Sequence, residues 1–247
     1  MGFVAGVFGG GLGVGGGIII VPLLLAVGLD RHGAHATSLA GIILISMVGA
    51  ASFGFSGEIL LDVGLTIGIG GVAGSLIGAT VMNRMSSRAL TIVFGLVLLV
   101  AALRMIFGAN PLPGSGNQSQ VVQILLALGI GLVAGIFAGL AGIGGGAVNV
   151  PAGVFFLGLA QHEAQGTSLV AIVLTAIAGT VANYRNDHVV PREGLLVGLG
   201  GGVGSLLGST VALGIDEDTL GFAFGVLVLI ISLRTLIRVF ARPAQSA

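Results

Sequence analysis

The chain has 247 residues, of which 55% are hydrophobic, 7% are charged and 47 are glycine; a soluble surface normally carries about 25% charge, so water is not its main solvent. Nine arginines balance nine acids without forming a basic run, which excludes a nucleic-acid binder or a protein held on an anionic surface by charge. The absence of cysteine excludes disulfides, thiol redox chemistry and thiolate metal sites.

The first element is a glycine-rich apolar segment, GVFGGGLGVGGGIIIVP, from Gly6 to Pro22. No basic residues precede it and similar segments recur along the chain, so it is expected to stay in the mature protein rather than be cleaved as a signal peptide. A membrane span needs roughly 20 apolar residues to cross about 30 Å, and three follow, near His35 to Phe55, Val63 to Met82 and Ala89 to Gly108. Ala109 to Ser119, ANPLPGSGNQS, has the composition of a polar turn. A second leading segment, Val121 to Ala160, would be about 60 Å long as one straight helix. It therefore breaks, and the break is expected at Gly142 to Gly146, because glycine weakens a helix by about 1 kcal/mol per residue relative to alanine. Three more spans close the chain, near Ala164 to Tyr184, Gly194 to Leu213 and Leu220 to Phe240.

These elements are one motif used twice. GIFAGLAGIGGGAVNVP, from Gly135 to Pro151, repeats the first glycine motif at an offset of 129. One inserted residue later, at an offset of 130, His32, Thr37, Ser38 and Leu39 match His162, Thr167, Ser168 and Leu169, and Arg104 matches Arg234. The reading is an all-α polytopic membrane protein of two homologous repeats, residues 1–117 and 118–247, each expected to form one bundle. Cytoplasmic loops carry an excess of arginine and lysine. If each leading segment is a broken hairpin that returns to its starting side, eight arginines share one side and only Arg104 lies opposite. That arrangement makes three net crossings per half, inverts the repeats relative to each other and puts both termini in the cytoplasm.

The doubled pattern, GGLGVGGGIIIVP with HATSLAGI and GLAGIGGGAVNVP with QGTSLVAI, resembles the sulfite exporter TauE/SafE family of membrane permeases, and the resemblance covers almost all of the chain. It implies transport of sulfite, sulfonates, or other organosulfur or small carboxylate anions. The first half has fewer residues ahead of its glycine motif than the second, so its first helix is expected to be short or the chain truncated there.

A broken helix exposes backbone N–H groups and carries about half a positive charge at its N-terminus, which suits an anion. Candidate substrate-binding residues are therefore Gly15, Gly16, Gly17 and Pro22 in the first half and Gly144, Gly145, Gly146 and Pro151 in the second. The alternative for these glycines is close helix packing. Thr37, Ser38, Thr167 and Ser168 could cap helices or donate to an anion. Asn149 has Ile20 as its counterpart, so it would make the site asymmetric or bond a neighbouring carbonyl. Gly70, Gly74 and Gly78, with Gly200, Gly204 and Gly208, read as helix packing. Arg104 and Arg234 read as side chains that reach a helix end, and His32 and His162 lack a second ligand at metal spacing.

The expected function is secondary transport of a small anion, held where the two glycine motifs meet, with one half rocking against the other across the cytoplasmic membrane. The partners are the substrate, the lipid bilayer and a coupling proton or sodium ion. No Walker motif is present to use ATP, and no cofactor or metal is expected. A passive anion channel is the alternative, although no continuous polar stripe marks a pore. An intramembrane enzyme would need a nucleophile and base, and GxSxG and HExxH are absent.

Overall fold

A computed structural model describes residues 1–81, 87–107, 118–141, 144–185 and 189–241. Among these residues it contains only helices and turns. In chain order they are α1 (Gly2–Gly11), α2 (Gly17–Ala26), α3 (Arg31–Phe55), α4 (Leu61–Val81) and α5 (Ser87–Ile106) in the first half. The second half has α6 (Gln120–Ala141), α7 (Gly146–Ala152) running into a π-helical turn (Gly153–Leu157), α8 (Gln161–Tyr184), α9 (Pro191–Leu213) and α10 (Glu217–Ala241). All six expected spans are present within a few residues of their predicted ends. Over the described residues, five helices are long and apolar enough to cross a membrane, α3, α6, α8, α9 and α10, while α4 and α5 are shorter apolar helices there. Helix starts follow local chemistry. The Asp30 carboxylate accepts from the Gly33 N–H (3.1 Å), Pro191 opens α9, and Glu163 accepts from the Ala160 N–H (3.0 Å) ahead of α8. At α10 the Asp216 carboxylate accepts from the Thr219 N–H (2.8 Å), which holds its carboxyl below the usual range.

Each leading segment is a broken hairpin. The Gln118 amide, just ahead of α6, donates to the Phe156 carbonyl in the π-helical turn (3.1 Å), so the second hairpin ends on the side where it began. The π-helical turn also has a sequence origin. It occupies the stretch where the repeat offset changes from 129 to 130, and one residue inserted into a helix is accommodated as a single wide turn.

The repeats are inverted, as glycine contacts on the matched pair α3 and α8 show. A Cβ at Gly166, early in α8, would lie 2.9 Å from Phe53 near the end of α3, and one at Gly179, late in α8, would lie 2.9 Å from Leu39 near its start. The matched pair α5 and α10 is likewise antiparallel: Gly95 faces Leu236, whereas Gly225 faces Ala102 and Met105. Two helices that occupy equivalent places in their repeats yet run oppositely must belong to repeats of opposite orientation.

The expectation that each half forms its own bundle is corrected. The long helices pair across the repeat, in the order α1, α9, α3, α8, α4, α6, with α5 against α10. Glycines explain the exchange. A Cβ at Gly131 would fall on the Ile67 carbonyl and one at Gly135 on the Gly71 carbonyl, while Gly6 meets Gly201 and Gly204 meets Phe3 in the equivalent place. Backbones approach this closely only where side chains are missing. The stripes on α4 and α9 therefore dock the hairpin helices of the opposite half, and the packing role expected for Gly70, Gly74, Gly200, Gly204 and Gly208 is what they perform. The side chain of Gly78's position lies outside the described residues. Both hydrophobic cores accordingly draw on both halves.

Candidate functional site

The two glycine turns meet at the centre of this interlocked bundle. In each, the residue ahead of the short helix is a glycine in the left-handed region, Gly16 at φ 83° and Gly145 at φ 81°, which a β-carbon would strain. The turns touch across the pseudo-twofold axis. A Cβ on Gly146 would lie 2.5 Å from the Gly13 carbonyl and 2.6 Å from the Val14 Cα, and one on Gly144 would lie 3.4 Å from the Val14 carbonyl. Gly15, Gly16, Gly17, Gly144, Gly145 and Gly146 are all buried. The N–H groups that open α2, on Gly17 and Ile18, and α7, on Gly146 and Ala147, have no backbone acceptor among the described residues.

The prolines differ between the halves: Pro151 is buried, whereas Pro22 is exposed on α2. Each denies its helix one hydrogen bond.

Thr37 and Thr167 make matched bonds across the repeat. Thr37 Oγ accepts from the Val190 N–H at the start of α9 (3.0 Å), and Thr167 Oγ accepts from the Leu60 N–H at the start of α4 (3.1 Å). Each hydroxyl thus satisfies a donor at the entry of a helix in the other half. Replacing Thr167 by valine leaves the Leu60 N–H unpaired and is expected to cost about 1–3 kcal/mol of stability. Thr37→Val should cost about the same, which thermal melts in detergent would register. Ser168 Oγ donates to the Gly13 carbonyl (2.9 Å), tying α8 to the first glycine turn, while the Ser38 hydroxyl is buried with no partner among the described residues.

The remaining buried polar groups mark the site. Asn149 is 4% exposed and its Oδ1 has no partner among the described residues; it lies with Gly144, Gly145, Thr175, Gly71 and Gly135 along a crevice too narrow for a water molecule. Gln165 is fully buried and neither polar atom of its amide has a partner among the described residues, and its Cα and Cβ lie against Gly13. Ser46 Oγ, also unpartnered, faces Gly15. Unpaired amides at membrane depth are costly, which makes them candidates for a ligand.

Sequence reasoning missed Gln165 and Ser46. The available signal for Gln165 was its place two residues ahead of Thr167, where the first half has half-buried His35. Asn183, a further polar residue on α8, donates to the Gly179 carbonyl one turn back (2.8 Å). His162 is held between the Ala212 carbonyl (3.0 Å) and the Glu217 carboxylate (3.7 Å), and exposed His32 lies 3.9 Å from Asp30.

Comparison with known proteins agrees with this architecture. The family model described as Sulfite exporter TauE/SafE matches residues 1–159 and again 126–247, the double match expected of a repeat. A probable membrane transporter protein of Xylella fastidiosa is 27% identical over 98% of the chain and 93% of its own length. One from Bacillus subtilis is 26% identical over 94% of the chain and 93% of its own length. A third, from Methanocaldococcus jannaschii, is 28% identical over 74% of the chain and 69% of its own length. No solved structure matches. The chain is a multi-pass membrane protein that belongs to the TauE/SafE sulfite exporter family.

Proposed function

We propose that the protein is a secondary transporter that carries a small anion, such as sulfite, a sulfonate or a related carboxylate, across the cytoplasmic membrane by alternating access. The observation that carries this reading is the meeting of two half-helix N-termini beside the buried Asn149 side chain and the amide of Gln165, whose N–H donors have no partner among the described residues. Free N–H groups and amide donors offer an anion partial positive charge and hydrogen bonds without a fixed cation. Such a site can release its ligand as well as bind it. Gly16, Gly17, Gly144, Gly145 and Gly146 supply backbone donors, Gly15, whose own N–H is bonded to the Gly9 carbonyl (2.9 Å), shapes the turn through its left-handed backbone, and Asn149, Ser38 and Ser168 flank them. Pro22 and Pro151 keep the short helices irregular, and Thr37 and Thr167 hold the helices around the site.

The crevice at Asn149 has no room for water, so passage requires movement, which favours a carrier over a permanently open channel. The moving bodies are not the sequence halves, because the glycine contacts of α1 with α9 and of α4 with α6 are too close to slide. One body combines α1, α2, α3 and α9, its counterpart combines α6, α7, α8 and α4, and they meet where α3 crosses α8. With both termini cytoplasmic, Arg31, Arg185, Arg192 and Arg234 lie on the cytoplasmic side and Arg104 opposite, in keeping with the positive-inside rule. Transport is driven by a proton or sodium gradient.

Uptake of labelled sulfite, sulfonates and small carboxylates into proteoliposomes, with and without each gradient, tests the proposal. Saturable, gradient-dependent flux of one anion is the expected result. Flux that never saturates would favour a passive channel, and no flux of any anion would refute an anion carrier.

A further inference from the structure

A second site lies apart from the glycine turns. Between α5 and α6, floored by α7 and the π-helical turn, runs an apolar groove of about 830 Å³ that opens to the side of the bundle. On α5 it extends from Leu96 to Arg104, which at the helical rise is about 12 Å. One leaflet of hydrocarbon is about 15 Å deep. The groove thus runs from the membrane surface, where α5 ends and α6 begins, toward the midplane.

Its surface end carries a cation with no acidic partner among the described residues. Arg104 is exposed, lies 5.7 Å over the ring of Phe155, and forms no salt bridge among the described residues. From Met105 to Gln161 the chain contains no acidic residue, so neither α6 nor the hairpin floor can supply a counter-charge. On α10, which packs against α5, the acids are Glu217, which faces His162, and Asp218, which makes no salt bridge among the described residues. The arrangement occurs once. Arg234 is the repeat mate of Arg104, but the α2 residues that correspond to the π-helical turn, Leu23 to Val27, include no aromatic ring. The inserted residue that creates that turn is part of the element that places Phe155 beneath the guanidinium.

We propose that this groove binds one anionic phospholipid of the adjacent leaflet, with its phosphodiester on Arg104 and an acyl chain along Val100, Leu125 and Val133. The guanidinium gives the phosphate a two-pronged donor. The apolar walls take the chain, and the occupant supplies the charge that the sequence withholds. Because Pro151 and Val148 line the inner end of the groove while Asn149 and Gly145 line the crevice behind it, the lipid bears on the same short helix as the central site.

The chain has no tryptophan, so a single introduced indole reports on its own surroundings. Val100→Trp places it in the groove, and Leu199→Trp, on the exposed face of α9, reports on bulk lipid. Both are reconstituted with brominated phosphatidylglycerol or brominated phosphatidylcholine, which quench indole on contact. At position 100 quenching is expected to favour the anionic lipid about fivefold, the order of one cation's pull on an anionic headgroup. At position 199 no preference is expected. Arg104→Gln should abolish the preference and Arg104→Lys should keep part of it. Equal quenching by both lipids at position 100, or a preference that survives Arg104→Gln, would overturn the proposal. So would relief of quenching by a soluble alkyl sulfonate in zwitterionic membranes, which would make the groove an entry for amphipathic solutes.

Discussion

Replacing Gln165 by methionine is expected to stabilise the protein while removing its transport. The amide is fully buried and neither of its polar atoms has a partner among the described residues. A buried unsatisfied group costs about 1–3 kcal/mol, so an isosteric apolar side chain should raise the melting temperature by a few degrees. Hydrogen bonds to a charged ligand contribute about 1.5–3 kcal/mol, so their loss should lower anion affinity about ten- to a hundredfold. Flux assays paired with thermal melts check both halves of the expectation. A residue that served only to hold the fold would give the opposite pattern, with stability falling and activity following it. Asn149→Leu should behave in the same way with a smaller gain, since only its Oδ1 lacks a partner.

The second large effect is on folding. Gly135→Leu should prevent recovery of monodisperse protein, because a Cβ there would fall on the backbone of Gly71 in α4. Backbone cannot step aside as a side chain can, so the helices must separate along the seam, at about 3 kcal/mol or more. Gly129 is the control. It lies on the same helix, but a Cβ there meets nothing within 4 Å, and Gly129→Ala should be tolerated or slightly stabilising. Size-exclusion profiles of the two variants in detergent would separate the seam from the rest of α6. If both were tolerated, close backbone approach would not be what joins the hairpins to the opposite half.

Much of this architecture is legible in the sequence because membrane depth and polarity constrain residue type so strongly. Twenty-residue apolar runs gave the six spans, and the break between Ala141 and Gly146 falls where the GIGGG cluster makes helix unfavourable. The inversion was legible through the placement of nine arginines. The interlocking of the halves was not. Gly131, Gly135, Gly70 and Gly74 state that helices approach closely, but a small residue does not name the helix that approaches it.

The site was legible in part for a similar reason. Glycine turns and the Asn149 amide are visible as departures from an apolar pattern, and both lie at the centre. Gln165 was hidden beside a helix start, where polar residues are ordinary. Its significance comes from burial against the first glycine turn, a contact between halves that only the fold creates. Thr37 and Thr167 show the converse. Their repetition flagged them as candidates, yet the repetition also preserves two helix-entry bonds at Val190 and Leu60.

The most direct test of alternating access uses the chain's natural lack of cysteine. Ser46→Cys, a near-isosteric change beside Gly15 that leaves the Gln165 amide in place, is reconstituted in one orientation and exposed to a membrane-impermeant thiol reagent from either face, with and without the transported anion. Reaction from each face in turn, slowed by the anion, is the predicted result. A thiol that reacts from one face alone under every gradient, or that the anion never protects, would contradict it.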